Sequence, residues 1–115
     1  MMSKHSNEAL AYINRGGAHL RLGEYDKAIA DCTEAIRLDP NVAFAYNIRG
    51  VAYVQKGESD KAIADYTEAI RVDPNYAVAY NNRGNAYKKQ GNKAKAEADF
   101  AKAEEPSGPI SVFFS

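Results

Sequence analysis

The side chains able to do chemistry in this 115-residue chain are few, and their spacing limits what they could do. A histidine beside a serine or cysteine can take its proton and free a nucleophile. His5 and His19 are the two histidines; His5 lies near the amino terminus, His19 inside a helical pattern, and neither has a serine or cysteine at a familiar catalytic spacing. No glycine-rich phosphate loop follows a strand pattern. Cys32 is the one cysteine, which excludes an intramolecular disulfide. Its flanks, Ala28, Asp31, Thr33 and Ala35, match neither a metal site nor a redox motif, so it reads as a small core residue. Asp31, Asp65 and Asp99 recur 34 residues apart and so spread along the chain instead of converging as paired acids. The residues therefore describe a protein that is not an enzyme and uses no cofactor and no metal.

The same acids have candidate partners. Arg15, Arg49 and Arg83 share the 34-residue period, and each precedes its Asp by 16 residues, with a glycine (Gly23, Gly57, Gly91) midway between them. If that glycine is the turn of an antiparallel helix pair, Arg and Asp face each other across it. The expected result is a structural ion pair in every unit, modest in energy where water reaches it.

The elements that must hold these residues follow from the repeat itself. Ala9–Val42 matches Ala43–Tyr76 at 22 of 34 positions, and the stretch from Ala77 to Ile110 continues the pattern more weakly. Within the second unit, Tyr46, Gly50, Tyr53 and Val54 recur at three- and four-residue steps, the stripe of an amphipathic helix. Gly57 interrupts it with a permissive backbone. Ala62, Ile63, Tyr66, Ala69 and Ile70 then form a second helix, closed by Asp73-Pro74-Asn75 as Asp39-Pro40-Asn41 closes the first unit. Pro cannot continue a helix but suits the first turn of the next, with the preceding Asp as its cap. Small residues at Gly50 and Ala62 let the pair approach, and Tyr66 fills the space beside them. Three such units give an all-α protein of six helices.

Composition agrees. Alanine is abundant, tryptophan is absent, and 15 basic residues balance 15 acidic ones. A neutral chain offers no steering field for nucleic acid or an anionic membrane. Lys88, Lys89, Lys93 and Lys95 cluster locally, but Glu97 and Asp99 follow, as on a solvated helix end. The amino terminus has no apolar run that could serve as signal peptide or membrane span, so a cytoplasmic location is expected.

Residues 9 to about 105 resemble the tetratricopeptide repeat. Its aromatic slot holds Tyr12, Tyr46 and Tyr80; its glycine slot Gly16, Gly50 and Gly84; and its tyrosine slot His19, Tyr53 and Tyr87. The Ala-x-x-x-Phe pair is Ala28 with Cys32, Ala62 with Tyr66 and Ala96 with Phe100, and Pro40 and Pro74 close the first two units. The departures are arginine in the leucine slot of all three units and Gly108 at the third closing proline. The resemblance implies a right-handed α-solenoid of three helix-turn-helix hairpins: repeats 9–42, 43–76 and 77–105, a disordered or helix-extending segment 1–8, and a linker and apolar tail 106–115.

It also implies a scaffold that binds a protein or peptide, as an extended segment or a helix, in a concave groove lined by the first helix of each hairpin. The candidate groove residues are Leu10, Ile13, Phe44, Asn47, Val78, Asn81, Asn85 and Lys88, within a wider lining of Gly17, Leu20, Arg21, Val51, Val54, Gln55 and Lys89. Leu20, Val51 and Val54 serve equally well as packing between helices, whereas an amide offers donor and acceptor together to a peptide backbone. The chaperone-tail clamp of the family uses lysine, asparagine and arginine at positions that fall here on Ile13, Gly17, Ile48, Val78 and Asn82. A clamp of that type is therefore not expected. An asparagine ladder known in some relatives corresponds to Asn14, Ile48 and Asn82, kept in two units of three.

The ends carry two further expectations. Ile29 and Ile36, and Ile63 and Ile70, become Glu97 and Glu104 in the third unit, as a solvated capping helix requires. This reads as a finished three-repeat array. Beyond Pro106, the tail carries Ile110, Val112, Phe113 and Phe114. It could fold back, fray or be a cloning remnant, or it could dock into the groove of another copy. The last case makes self-assembly, through the Phe113-Phe114 tail or through stacked ends, the alternative function.

Overall fold

The computed structural model describes residues 4–105, which form six helices and, among those residues, no strand: α1 (Lys4–Arg21), α2 (Tyr25–Leu38), α3 (Ala43–Gln55), α4 (Ser59–Val72), α5 (Ala77–Lys89) and α6 (Lys93–Glu104). Residues 4–8, expected either disordered or helical, belong to α1. The tail from Ile110 to Phe114 lies outside the described residues.

Each hairpin closes on its glycine. Gly57 takes φ +80°, with its N–H on the Val54 carbonyl (2.9 Å) and the Glu58 N–H on that of Tyr53 (2.9 Å). Those bonds satisfy carbonyls that the end of α3 would otherwise leave open, in a left-handed conformation that a side chain resists. Between hairpins the expectation needs correction. Helices α3 and α5 begin at Ala43 and Ala77, three residues past Pro40 and Pro74, and neither has a side-chain cap. Asp39 and Asp73 instead accept the N–H groups of Asn41 and Asn75, each at 3.1 Å, so they fix the turn and not the helix start. An aspartate closing such a two-residue ring competes with helix capping.

Helix approach inside a hairpin is set by the second glycine. A Cβ on Gly50 would lie 2.6 Å from Tyr66 Cε1, and one on Gly84 would lie 2.7 Å from Phe100 Cε1. Burial of Tyr66, 2% exposed, thus requires glycine opposite it. The first hairpin uses the smaller Cys32 against Gly16.

Each second helix also packs on the next first helix, and first helices touch one another whereas second helices do not. The array is a helical solenoid of three hairpins curved with α1, α3 and α5 inside. One core cluster joins Ala9, Ile13, Cys32, Ala35, Ala45 and Ile48 across the first interface; another joins Tyr46, Ala69 and Ala79 across the second. Glu97 and Glu104 are exposed where the corresponding isoleucines are half-buried. No helix among the described residues is long and apolar enough to cross a membrane.

Candidate functional site

The charged residues with the sharpest spacing turn out to build the scaffold. Arg15 donates Nε and Nη2 to the Asp31 carboxylate at 2.8 and 2.7 Å; Arg49 does the same to Asp65 and Arg83 to Asp99, every bond 2.8 Å. These are two-point forks across each hairpin, as the spacing predicts. Two of them reach further: Arg49 Nη1 donates to Thr33 Oγ1 (3.0 Å) and Arg83 Nη1 to Thr67 Oγ1 (3.1 Å), tying each first helix to the preceding hairpin. The Arg15 fork holds the Asp31 carboxyl below its ordinary range. Asp65 lies deeper, and burial pushes its carboxyl up against the pull of Arg49.

His19 and Cys32 are equally structural. His19 Nδ1 lies 2.7 Å from Glu24 Oε1 and its Nε2 3.5 Å from Asp31 Oδ2, so the ring joins the hairpin turn to the ion pair. Burial pushes the Cys32 thiol up to about 12, which leaves it a thiol and not a nucleophilic thiolate at neutral pH.

The inner surface stays open to a ligand. A cleft of about 470 Å³ runs between α3 and α5. Val51, Val54, Ala86 and the edge of Tyr66 make its apolar floor; Gln55, Asn82, Asn85, Lys88 and Lys89 make its rim. Asn82, Asn85, Ala86 and Lys89 recur at three- and four-residue steps, so α5 turns one face to the cleft. Asn82 Nδ2 donates to Asn47 Oδ1 (3.0 Å), which orients the Asn82 amide. Such a surface can seat an apolar side chain, pair amides with an extended backbone, and favour an anionic group beside the two ammoniums.

The structure sorts the expected groove residues. Asn85 and Lys88 line the cleft. Leu10, Phe44 and Val78 are 42%, 52% and 52% exposed, Leu10 in the second turn of α1 and the other two in the opening turns of α3 and α5, all outside the cleft. Asn81 is exposed one turn beyond Val78 on α5. Ile13 and Asn47 do not line the groove surface: they are 2% and 6% exposed. Ile13 packs in the cluster with Ile48 and Asn47 accepts from Asn82, because the next first helix lies over that position. Val51 and Val54 do both things proposed for them, packing against the third cluster and lining the cleft. Asn82 and Tyr66 are absent from the expected lining. The asparagine recurrence at Asn14 and Asn82 was the available signal for the first; Tyr66 comes from a second helix, and nothing in its spacing marks it.

With this geometry in view, sequence profiles of the tetratricopeptide repeat match residues 9–42 and 32–64, and a further TPR repeat profile matches 50–91. The second TPR of Spaghetti (RPAP3), bound to the HSP90 peptide SRMEEVD, superposes with a TM-score of 0.83 at 30% identity over 85% of this chain and 91% of that one. The chain belongs to the tetratricopeptide repeat family. The second TPR domain of human RPAP3, in complex with the HSP70 peptide SGPTIEEVD, gives 0.84 at 29% identity, covering 95% and 92%. MamA gives 0.81 at 36% identity over 85% of this chain, which spans 57% of MamA. No curated protein matches the sequence.

Proposed function

We propose that this tetratricopeptide array is a protein-interaction scaffold that holds an extended peptide segment in the cleft between α3 and α5. The observation carrying the reading is the composition of that cleft: a floor of Val51, Val54 and Ala86 under a rim of Asn82, Asn85, Gln55, Lys88 and Lys89. An apolar side chain on the floor and an acceptor or carboxylate beside Lys88 and Lys89 are the complementary ligand features. The related RPAP3 domains hold peptides ending in EEVD. Ligand selection here is of another type: the positions of the family's carboxylate clamp are Ile13, Gly17, Ile48, Val78 and Asn82, none with the side chain the clamp requires at that position and two of them buried core.

Selection from a displayed peptide library tests this. Peptides enriched on the chain should share an apolar residue next to an acidic one and should lose at least tenfold in affinity for Val51→Glu or Asn85→Ala with Lys88→Ala. SRMEEVD should bind more weakly than the selected peptides. Equal binding by the variants would show that the ligand sits elsewhere, and tight SRMEEVD binding would restore a clamp. For the alternative, self-assembly through the Phe113-Phe114 tail, light scattering on the chain and on a version ending at Glu105 decides. A monomer in both removes it.

A further inference from the structure

The outer side of α1 repeats a face that the molecule covers twice elsewhere. Ala45 and Ala79 are 0% exposed and Tyr46 is 6% exposed beneath the hairpin that precedes each. Their counterparts in the first unit, Ala11 and Tyr12, are exposed and half-buried. Arg49 and Arg83 each donate Nη1 to a threonine of the preceding hairpin's second helix, and their side chains are 19% and 18% exposed. Arg15 meets no such hydroxyl among the described residues, and its side chain is 63% exposed. Glu8, Ala11, Tyr12 and Arg15 together frame an open cleft of about 450 Å³.

We propose that this face docks an amphipathic helix of a partner protein, seated as α2 is on α3 and α4 is on α5. The partner's chemistry is read from the two helices already in that role. One offers Thr33 to Arg49 and packs Ile36 in the cluster of Tyr46; the other offers Thr67 to Arg83 and packs Ile70 beside Ala79; Ile29 and Ile63, one turn earlier on the same faces, are half-buried. The hydroxyl between the two β-branched residues is the acceptor for the guanidinium. Thr67 Oγ1 donates to the Ile63 carbonyl (2.8 Å), which leaves its lone pairs for Arg83 Nη1. Arg15 is held by Asp31 in the same fork as its counterparts, so its remaining N–H groups stand ready for the incoming hydroxyl. The docked helix thus continues an interface the fold already makes twice.

A second copy of this chain fits the face poorly. Its terminal helix α6 carries Glu97, Ala101 and Glu104 at the three matching positions, with no hydroxyl for Arg15 and carboxylates in place of both isoleucines. The rim also differs in a telling way. Glu8 stands where Val42 and Tyr76 pack against their core clusters, so this face stays wetted when uncovered and suits reversible docking. The site is separate from the α3–α5 cleft and does not depend on what that cleft binds.

The test uses the full chain, isotope-labelled, and a synthetic peptide with the sequence of residues 59–72, held helical by a cross-link on its outward side. Saturable shifts should centre on the amides of Ala11, Tyr12 and Arg15 and spare Val51 and Asn85. A peptide with Thr67→Ala should bind about three- to tenfold more weakly, the loss of one water-accessible hydrogen bond of ordinary net strength. Ala11→Glu in the protein should weaken the peptide at least tenfold while leaving its own helical circular dichroism unchanged. No saturable shift, shifts centred on the α3–α5 cleft, or indifference to Ala11→Glu each overturns the proposal. So does a concentration-dependent dimer of the peptide-free chain that Ala11→Glu dissolves, because the occupant is then a second copy.

Discussion

At the scale of single residues, the unusual feature is a charge where the repeat has leucine. Arg49 and Asp65 are largely withdrawn from water, and that cost is offset by the two-point fork and the bond to Thr33. Removing one member leaves the other uncompensated. Arg49→Met should therefore cost about 3 kcal/mol in urea unfolding, and adding Asp65→Leu should return much of it. Arg15→Met should cost clearly less, because water already reaches that guanidinium. Equal losses at both positions would show that burial does not set the strength of these pairs. Acid gives a second reading of the same fork. The folded-state pKa of Asp31 is depressed by Arg15, so its stabilising contribution is fully present above the ordinary carboxylate range and fades as pH falls through the folded value. Carboxyl chemical shifts should place the Asp31 midpoint below about 3.9, the value for an unperturbed Asp. Asp65, pushed up by burial, should titrate above Asp31. The reverse order would mean that exposure of Arg15 cancels its hold on Asp31.

At the scale of helices, the close approach of α3 to α4 rests on Gly50 facing the Tyr66 ring. The ring is buried and rigid, so a methyl group there must push the helices apart. Gly50→Ala should destabilise by about 1–3 kcal/mol. In a Tyr66→Cys background, which imitates the first hairpin, the same change should cost less, and a double-mutant cycle reads the coupling. Additive losses would place the strain outside this contact. Helix number, glycine turns and the Arg–Asp forks were legible in the sequence because each depends on spacing inside one unit. The groove was less so. Whether a first-helix residue is lining or core depends on what the next unit sets against it: Ile48 buries Ile13, and Asn82 occupies Asn47, whereas the third-unit counterpart Asn81 stays exposed. The turn was misread for a related reason. Asp39 and Asp73 carry the right side chain for a helix cap, but the chain takes three more residues to enter the helix.

At the scale of the whole molecule, each hairpin completes the face of its neighbour, so the two ends of the array are chemically unlike. The α1 end presents Ala11, Tyr12 and Arg15, a surface shaped for a helix like α2 or α4. The α6 end presents Glu97, Ala101 and Glu104, which match that surface at none of the three positions. If the Ile-x-x-x-Thr-x-x-Ile pattern is what makes the interface, converting α6 to it should make the two ends complementary. The triple variant Glu97→Ile, Ala101→Thr, Glu104→Ile gives α6 the triad of α4. One copy's α6 can then cover the next copy's α1, a head-to-tail contact that either closes a ring or grows open-ended. Sedimentation at rising concentration should show a ladder of species for the triple variant, and adding Ala11→Glu should collapse the ladder to monomer. A triple variant that stays monomeric at concentrations used for NMR would show that the isoleucines and threonine do not by themselves define the joint. A ladder that survives Ala11→Glu would place the new contact on some face other than α1.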